Sequence, residues 1–117
     1  MVAQRSHYRI QYPVVDRPTL DLKRAGQFSI MNVSERGISL VTSEPHLDVG
    51  YEIKGVVRFK SGNTAAIEGK VLRTNDTQVV LLLDVGVSLP TIMEEQRWLL
   101  QKYNTLSLSD ISGTPEV

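Results

Sequence analysis

Between Tyr51 and Lys60 apolar and polar side chains alternate almost without a break, and this alternation constrains the chain more than any other feature. Successive side chains of a strand point to opposite faces. Tyr51, Ile53, Gly55, Val57 and Phe59 therefore line one side, with Glu52, Lys54, Arg58 and Lys60 on the other and Val56 as the exception. Ser61-Gly62-Asn63 reads as a hairpin turn, after which Ala65–Thr74 returns with Ile67, Gly69 and Val71 inward. Asn75-Asp76 turns again. The stretch from Thr77 to Val87 is nearly all apolar, which predicts burial on both faces. Upstream, Pro13 and Pro18 bracket a short extended piece, and Leu20 and Leu22 share a face of a strand over Thr19–Lys23. Ala25-Gly26 turns into a further strand. In unbroken register that strand would set Phe28, Ile30 and Asn32 on one face and Ser29, Met31 and Val33 on the other, so a bulge is expected near Asn32. Short strands separated by turn signals at this spacing predict an all-β chain, a small six-stranded antiparallel split β-barrel.

The period changes near the end. Pro90 suits a first helical turn, and Thr91-x-x-Glu94 fits a capping box. Leu89, Ile92, Met93, Gln96, Leu99, Leu100 and Tyr103 form one stripe at helical spacing, which predicts a C-terminal α-helix reaching Asn104. The stripe is expected to pack on the barrel at the Val79–Leu83 strand, with Trp98 projecting to the opposite side. An exposed tryptophan makes that helix face the expected surface for self-association or partner docking. The expected organisation is a loose arm over 1–10, a barrel with its helix over 11–104, and a frayed Ser/Thr-rich tail over 105–117.

At 117 residues the chain holds one core. It has no cysteine, so there is neither a disulfide framework nor a thiolate nucleophile nor a sulfur-ligated zinc site. No apolar run approaches the ~20 residues of a membrane helix, and the N-terminus lacks a signal-peptide core, so the expected location is cytoplasmic. Net charge is zero, yet residues 1–36 carry six basic and three acidic side chains against seven and ten in the remainder. A cationic front third on a neutral protein suits a compact anion better than a long nucleic acid. Two Phe, four Tyr and one Trp also leave few stacking platforms for an oligonucleotide. His7 and His46 lack partners at metal spacing, and no Ser/His/Asp set, paired carboxylates or phosphate-cradling glycine loop suggests an enzyme.

Two short motifs remain. Arg5-Ser6-His7-Tyr8-Arg9 sets two guanidiniums four residues apart, ~13 Å along an extended arm but only ~6 Å on a helix. Asn32-Val33-Ser34-Glu35-Arg36-Gly37 sets an amide and a hydroxyl on one strand face and a glycine where a backbone can come close. An Arg-x-x-x-Arg arm, an Asn-x-Ser-x-x-Gly strand a little over twenty residues later, a small barrel and a closing helix together resemble the PilZ domain, the bacterial receptor for cyclic di-GMP. The resemblance covers the chain up to its tail. It implies a non-enzymatic receptor with no cofactor, whose nucleotide is held by Arg5, Arg9, Asn32, Ser34 and Gly37, with Gln4, Arg36 and Arg73 as secondary contacts. Arginine forks onto phosphate oxygens or guanine O6 and N7, and an Asn oxygen accepts from guanine N1–H or N2–H. The resemblance further implies an arm that folds over the nucleotide and signals to a partner in motility, biofilm or polysaccharide control. Two departures stand out: Gln4 lies where many members carry a basic residue, and Asn32 where Asp is commoner. The alternative is a PilZ-like interaction module that has lost nucleotide binding.

Overall fold

A computed structural model of the chain describes residues 9–42 and 47–111, with side chains up to Tyr103. Seven strands are formed: β1 (Ile10–Gln11), β2 (Thr19–Leu22), β3 (Gly26–Val33), β4 (Gly37–Val41), β5 (Glu52–Arg58), β6 (Thr64–Thr74) and β7 (Gln78–Val85). A 3-10 turn occupies Val14–Asp16, where the two prolines led to an extended piece, and helix α1 spans Leu89–Ile111, continuing past Asn104. All pairings are antiparallel in the order β1-β3-β2-β5-β6-β7-β4, and β3 pairs with β4 to close the ring. The result is a closed six-stranded barrel with β1 added beside the end of β3, since Ile10 pairs with Val33 and Gln11 with Asn32.

Alternation decides the interior. Leu20 and Leu22 of β2, Ile53 and Val57 of β5, and Ile67 and Val71 of β6 are all buried. β7 follows the same rule rather than hiding both faces: Val79, Leu81 and Leu83 are buried, whereas Leu82 and Val85 are 40% and 48% exposed. An antiparallel barrel covers only the inner face of a strand, so an apolar run does not need two neighbours. Tyr51 precedes β5 and is exposed. Two glycines mark where backbones cross closely. A methyl group built on Gly55 would overlap the Asp21 carbonyl, and one on Gly69 the Leu82 carbonyl. Gly62 takes a left-handed φ of 106° in the β5–β6 turn, as the hairpin signal required.

The helix differs most from its sequence pattern. Its cap is Ser88, whose hydroxyl accepts from the Thr91 backbone N–H at 3.3 Å, in place of a Thr91–Glu94 box. Ile92 joins the barrel core and Leu99 packs against it, but Leu89, Met93 and Leu100 of the expected stripe are exposed. Between Ile92 and Leu99 the fully buried residue is Glu95. The reason lies in what the helix meets. It meets β1, the 3-10 turn and the β5–β6 turn, and the chain there offers hydroxyls, an amide and the Asp16 carboxylate. Trp98 is half-buried, with the Lys102 ammonium 5.2 Å from its ring centre.

A second polar contact fastens the helix lower down. Asp16, 1% exposed, accepts hydrogen bonds from the Lys102 ammonium and the Tyr103 hydroxyl. Burial works to raise the Asp16 pKa. The hydrogen bonds from Lys102 and Tyr103, with the charges of Lys102 and Lys60, outweigh it and hold the carboxyl below its usual range. With its folded-state pKa below that of a free aspartate, the contact stabilises fully above the free-aspartate value and is lost as pH falls through the folded-state value. Asp16→Asn is therefore expected to lower the urea midpoint at neutral pH and to flatten its decline below about pH 4. Urea titrations of both proteins across that range check this.

Candidate functional site

The site is built where β3 changes partners. Register shifts between Ile30 and Asn32, so that Met31 bulges and Ile30 and Val33 both stay in the core. This is the bulge that the side-chain pattern anticipated. It leaves Asn32 on the outer surface of the barrel, but 7% exposed, because Arg9 lies over it. The guanidinium donates from Nη1 to Asn32 Oδ1 at 2.6 Å. The second arginine of one motif and the first residue of the other, 23 positions apart, are thus in direct contact. Arg9 itself is exposed. Arg5 and Gln4 lie outside the described residues, as do His7 and His46.

Ser34 begins a tight turn into β4. Its N–H donates to the Gly37 carbonyl at 2.8 Å, and its hydroxyl donates to the same oxygen at 3.3 Å, leaving that hydroxyl lone pairs for a further donor. Gly37 does not have a left-handed φ. A methyl there would fit, standing 3.9 Å from Arg9 Nη2 and 3.5 Å from Ser34 Oγ in ordinary van der Waals contact. Arg36, exposed at the tip, accepts through its backbone carbonyl from the Leu83 N–H at 2.9 Å, which ties the turn to β7.

Arg73 joins this surface through register alone. Asn32 pairs with Ser39, Ser39 with Val80, and Val80 with Arg73, so these four form one row across β3, β4, β7 and β6. Three strand spacings separate its ends, about 14 Å along the sheet. Gly37 and Leu82 start a parallel row that continues to Lys70. The exposed outer wall therefore offers an apolar strip, Val80 and Leu82, with cations at both margins.

Among the described residues, two concavities bear on the site. An apolar groove of about 320 Å³ runs between the Arg9–Pro13 segment and α1, with Gln96, Leu100 and Tyr103 on its far side. A wider cleft of about 880 Å³ at the β2–β3 turn shares no residue with the Arg9–Asn32 contact. Its walls mix both charges, with Glu52 opposite Lys70 and Lys54 paired to Glu68 at 3.7 Å. Only the first touches the motif residues. Among the described residues, no group of three or more His, Asp or Glu is placed to hold a metal ion, and no helix is long and apolar enough to cross a membrane.

A family model, that of the PilZ domain, matches residues 3–105. The chain belongs to the PilZ domain family. Among solved structures, the Bacillus subtilis inhibitor of motility MotI/DgrA has a TM-score of 0.57 and 16% sequence identity, over 88% of this chain and 51% of that one. The chain thus spans about half the length of that protein, and the likeness speaks for the fold. No curated protein matches the chain in sequence. PilZ domains are receptor or effector modules and not enzymes.

Four residues around this PilZ site escaped the sequence reading. Ser39 sits between the core residues Ile38 and Leu40, on the outer face, yet is only 4% exposed. Tyr12 and Glu95 hold the segment that carries Arg9. Gly86 supports the motif turn: a methyl on it would overlap the Glu35 carbonyl. A glycine just past an apolar strand was the available signal for close backbone approach. Gly86→Ala is expected to destabilise by about 1–3 kcal/mol, because the obstacle is backbone, whereas Gly37→Ala is expected to cost about 1 kcal/mol or less. Urea unfolding of the two variants gives the comparison.

Proposed function

We propose that the chain is a non-enzymatic receptor for cyclic di-GMP that passes its occupancy to a partner protein. The observation that carries this reading is the Arg9–Asn32 contact, which joins the two motif halves on the outer wall of a PilZ barrel. Cyclic di-GMP presents two phosphate charges and two guanines. Arg9 can exchange its bond to Asn32 for a fork onto a phosphate or onto guanine O6 and N7. Asn32 is then released to accept from a guanine N1–H or N2–H, with Ser34 beside it. In this reading the Val80–Leu82 strip gives a base an apolar floor, with Arg73 in the same row as Asn32 and Arg36 at the turn tip as the further cations. Arg5 supplies the second cation from the arm.

The arm is the moving part in this reading. Ordering each of its residues costs about 1–2 kcal/mol of backbone entropy. Charge-assisted hydrogen bonds of about 1.5–3 kcal/mol each offset that only when the anion is present. Occupancy thereby sets the arm position, which a partner in motility, biofilm or polysaccharide control reads. The B. subtilis neighbour is an inhibitor of motility, which favours the first of these. The location that suits such a receptor is the cytoplasm.

One observation favours a second reading, an interaction module that no longer binds nucleotide. The neutral Asn32 is already occupied by Arg9, and Gln4 stands where a further cation is usual. Titration calorimetry with cyclic di-GMP separates the two, and its stoichiometry distinguishes one nucleotide from a stacked pair. Arg9→Ala and Arg5→Ala are each expected to weaken binding roughly 10- to 100-fold, the loss of one charge-assisted contact, with a nearly unchanged melting temperature. Binding unaltered in either variant would remove that arginine from the site.

A further inference from the structure

Glu95 is an unusual choice for its position. It is completely buried on α1 between Ile92 and Leu99, and among the described residues no Lys or Arg forms an ion pair with it. A buried carboxylate without a cation is costly, and an apolar residue of similar volume is often neutral or stabilising in such places. Packing alone therefore does not account for it. What the carboxylate does is collect three donors from two separate segments. Oε1 accepts from the Tyr12 hydroxyl at 2.7 Å, and Oε2 accepts from Asn63 Nδ2 at 3.1 Å and from the Ser61 hydroxyl. Burial and the neighbouring Glu95 push the Tyr12 hydroxyl well above the usual tyrosine range, so it remains a donor at any working pH.

Tyr12 is three residues from Arg9, and its N–H donates to the carbonyl of Met31, the bulged residue beside Asn32. The strand between them, β1, is two residues long, too short to set its own position. We propose that Glu95 is a positioning residue for nucleotide capture: by holding the Tyr12 hydroxyl it seats β1 so that Arg9 lies over Asn32, and so links the ligand surface to α1. This rests on the nucleotide reading above. The link works in both directions, because any free energy by which a seated helix aids capture is returned by capture to the helix. The exposed face of α1 and the groove beside it are then the part of the surface that occupancy alters.

Calorimetric titration of cyclic di-GMP into Tyr12→Phe, Glu95→Gln, Glu95→Leu and the Tyr12→Phe/Glu95→Leu pair tests the proposal, alongside melting temperatures. Tyr12→Phe keeps the ring and removes only the donor, and is expected to weaken binding roughly tenfold and to lower the melting temperature by a few degrees, since Glu95 Oε1 is left unpaired. Glu95→Gln keeps an acceptor oxygen and is expected to bind within about twofold of the native chain. Glu95→Leu should lose as much as Tyr12→Phe, and the double variant no more than either single change, as for one shared contact. In the nucleotide-free protein, Glu95→Leu should speed amide exchange at Tyr12 and shift the side-chain amide resonance of Asn32. Native affinity in Tyr12→Phe overturns the proposal, as do fully additive losses or an undisturbed Tyr12 amide and Asn32 resonance in Glu95→Leu. If the native chain fails to bind, the nucleotide reading falls, and the nucleotide-free measurements decide the positioning of β1 by themselves.

Discussion

Strand β3 carries three partners along eight residues, and the rest of the molecule depends on that sharing. Its first half pairs with β2, its second with β4, and its last two residues with β1. Closing a sheet on itself removes the unpaired edges that an open sheet would expose. Closure also forces a local irregularity on the strand that changes neighbours. The bulge at Met31 is that irregularity. It keeps Ile30 and Val33 inside while turning Asn32 outward beneath Arg9, so the same distortion that closes the barrel creates the polar surface.

From that point the site and the helix form one connected structure. Arg9 bonds Asn32; Tyr12, three residues on, bonds Glu95; Asp16, a turn later, bonds Lys102 and Tyr103. One short segment, residues 9–16, thus lies between the ligand-facing wall and α1, touching both through polar contacts. Polar contacts specify geometry more narrowly than apolar ones, because a hydrogen bond fails within an ångström of displacement and apolar packing tolerates sliding. A segment fastened in this way transmits position. A hydrophobic helix interface would have given adhesion with less register.

Much of the barrel could be read from local pattern. The alternation in β5 and β6, the turns at Gly62 and Asn75, and even the bulge near Asn32 follow from where apolar residues fall relative to a period of two. The helix resisted the same method. Its apolar stripe placed Leu89, Met93 and Leu100 inward; Ile92 and Leu99 do meet the apolar core, but beside them the wall is made of Tyr12, Ser61 and Asn63, so a carboxylate is buried and several aliphatics remain outside. Periodicity assumes that the opposite wall is apolar. Where the wall is polar, the hydrophobic face of a helix is not its buried face.

Local pattern was enough for the six barrel strands, their turns and the two short motifs, though not for β1, because each of these is written in residues close together along the chain. Only the tertiary structure decided that Arg9 lies on Asn32, that Arg73 falls in the same row as Asn32, that Gly86 makes room for the Glu35 carbonyl, and that Glu95 is buried. Those relations depend on strand register accumulated around a closed ring. No local stretch encodes that sum, since each pairing shifts the position of all that follow.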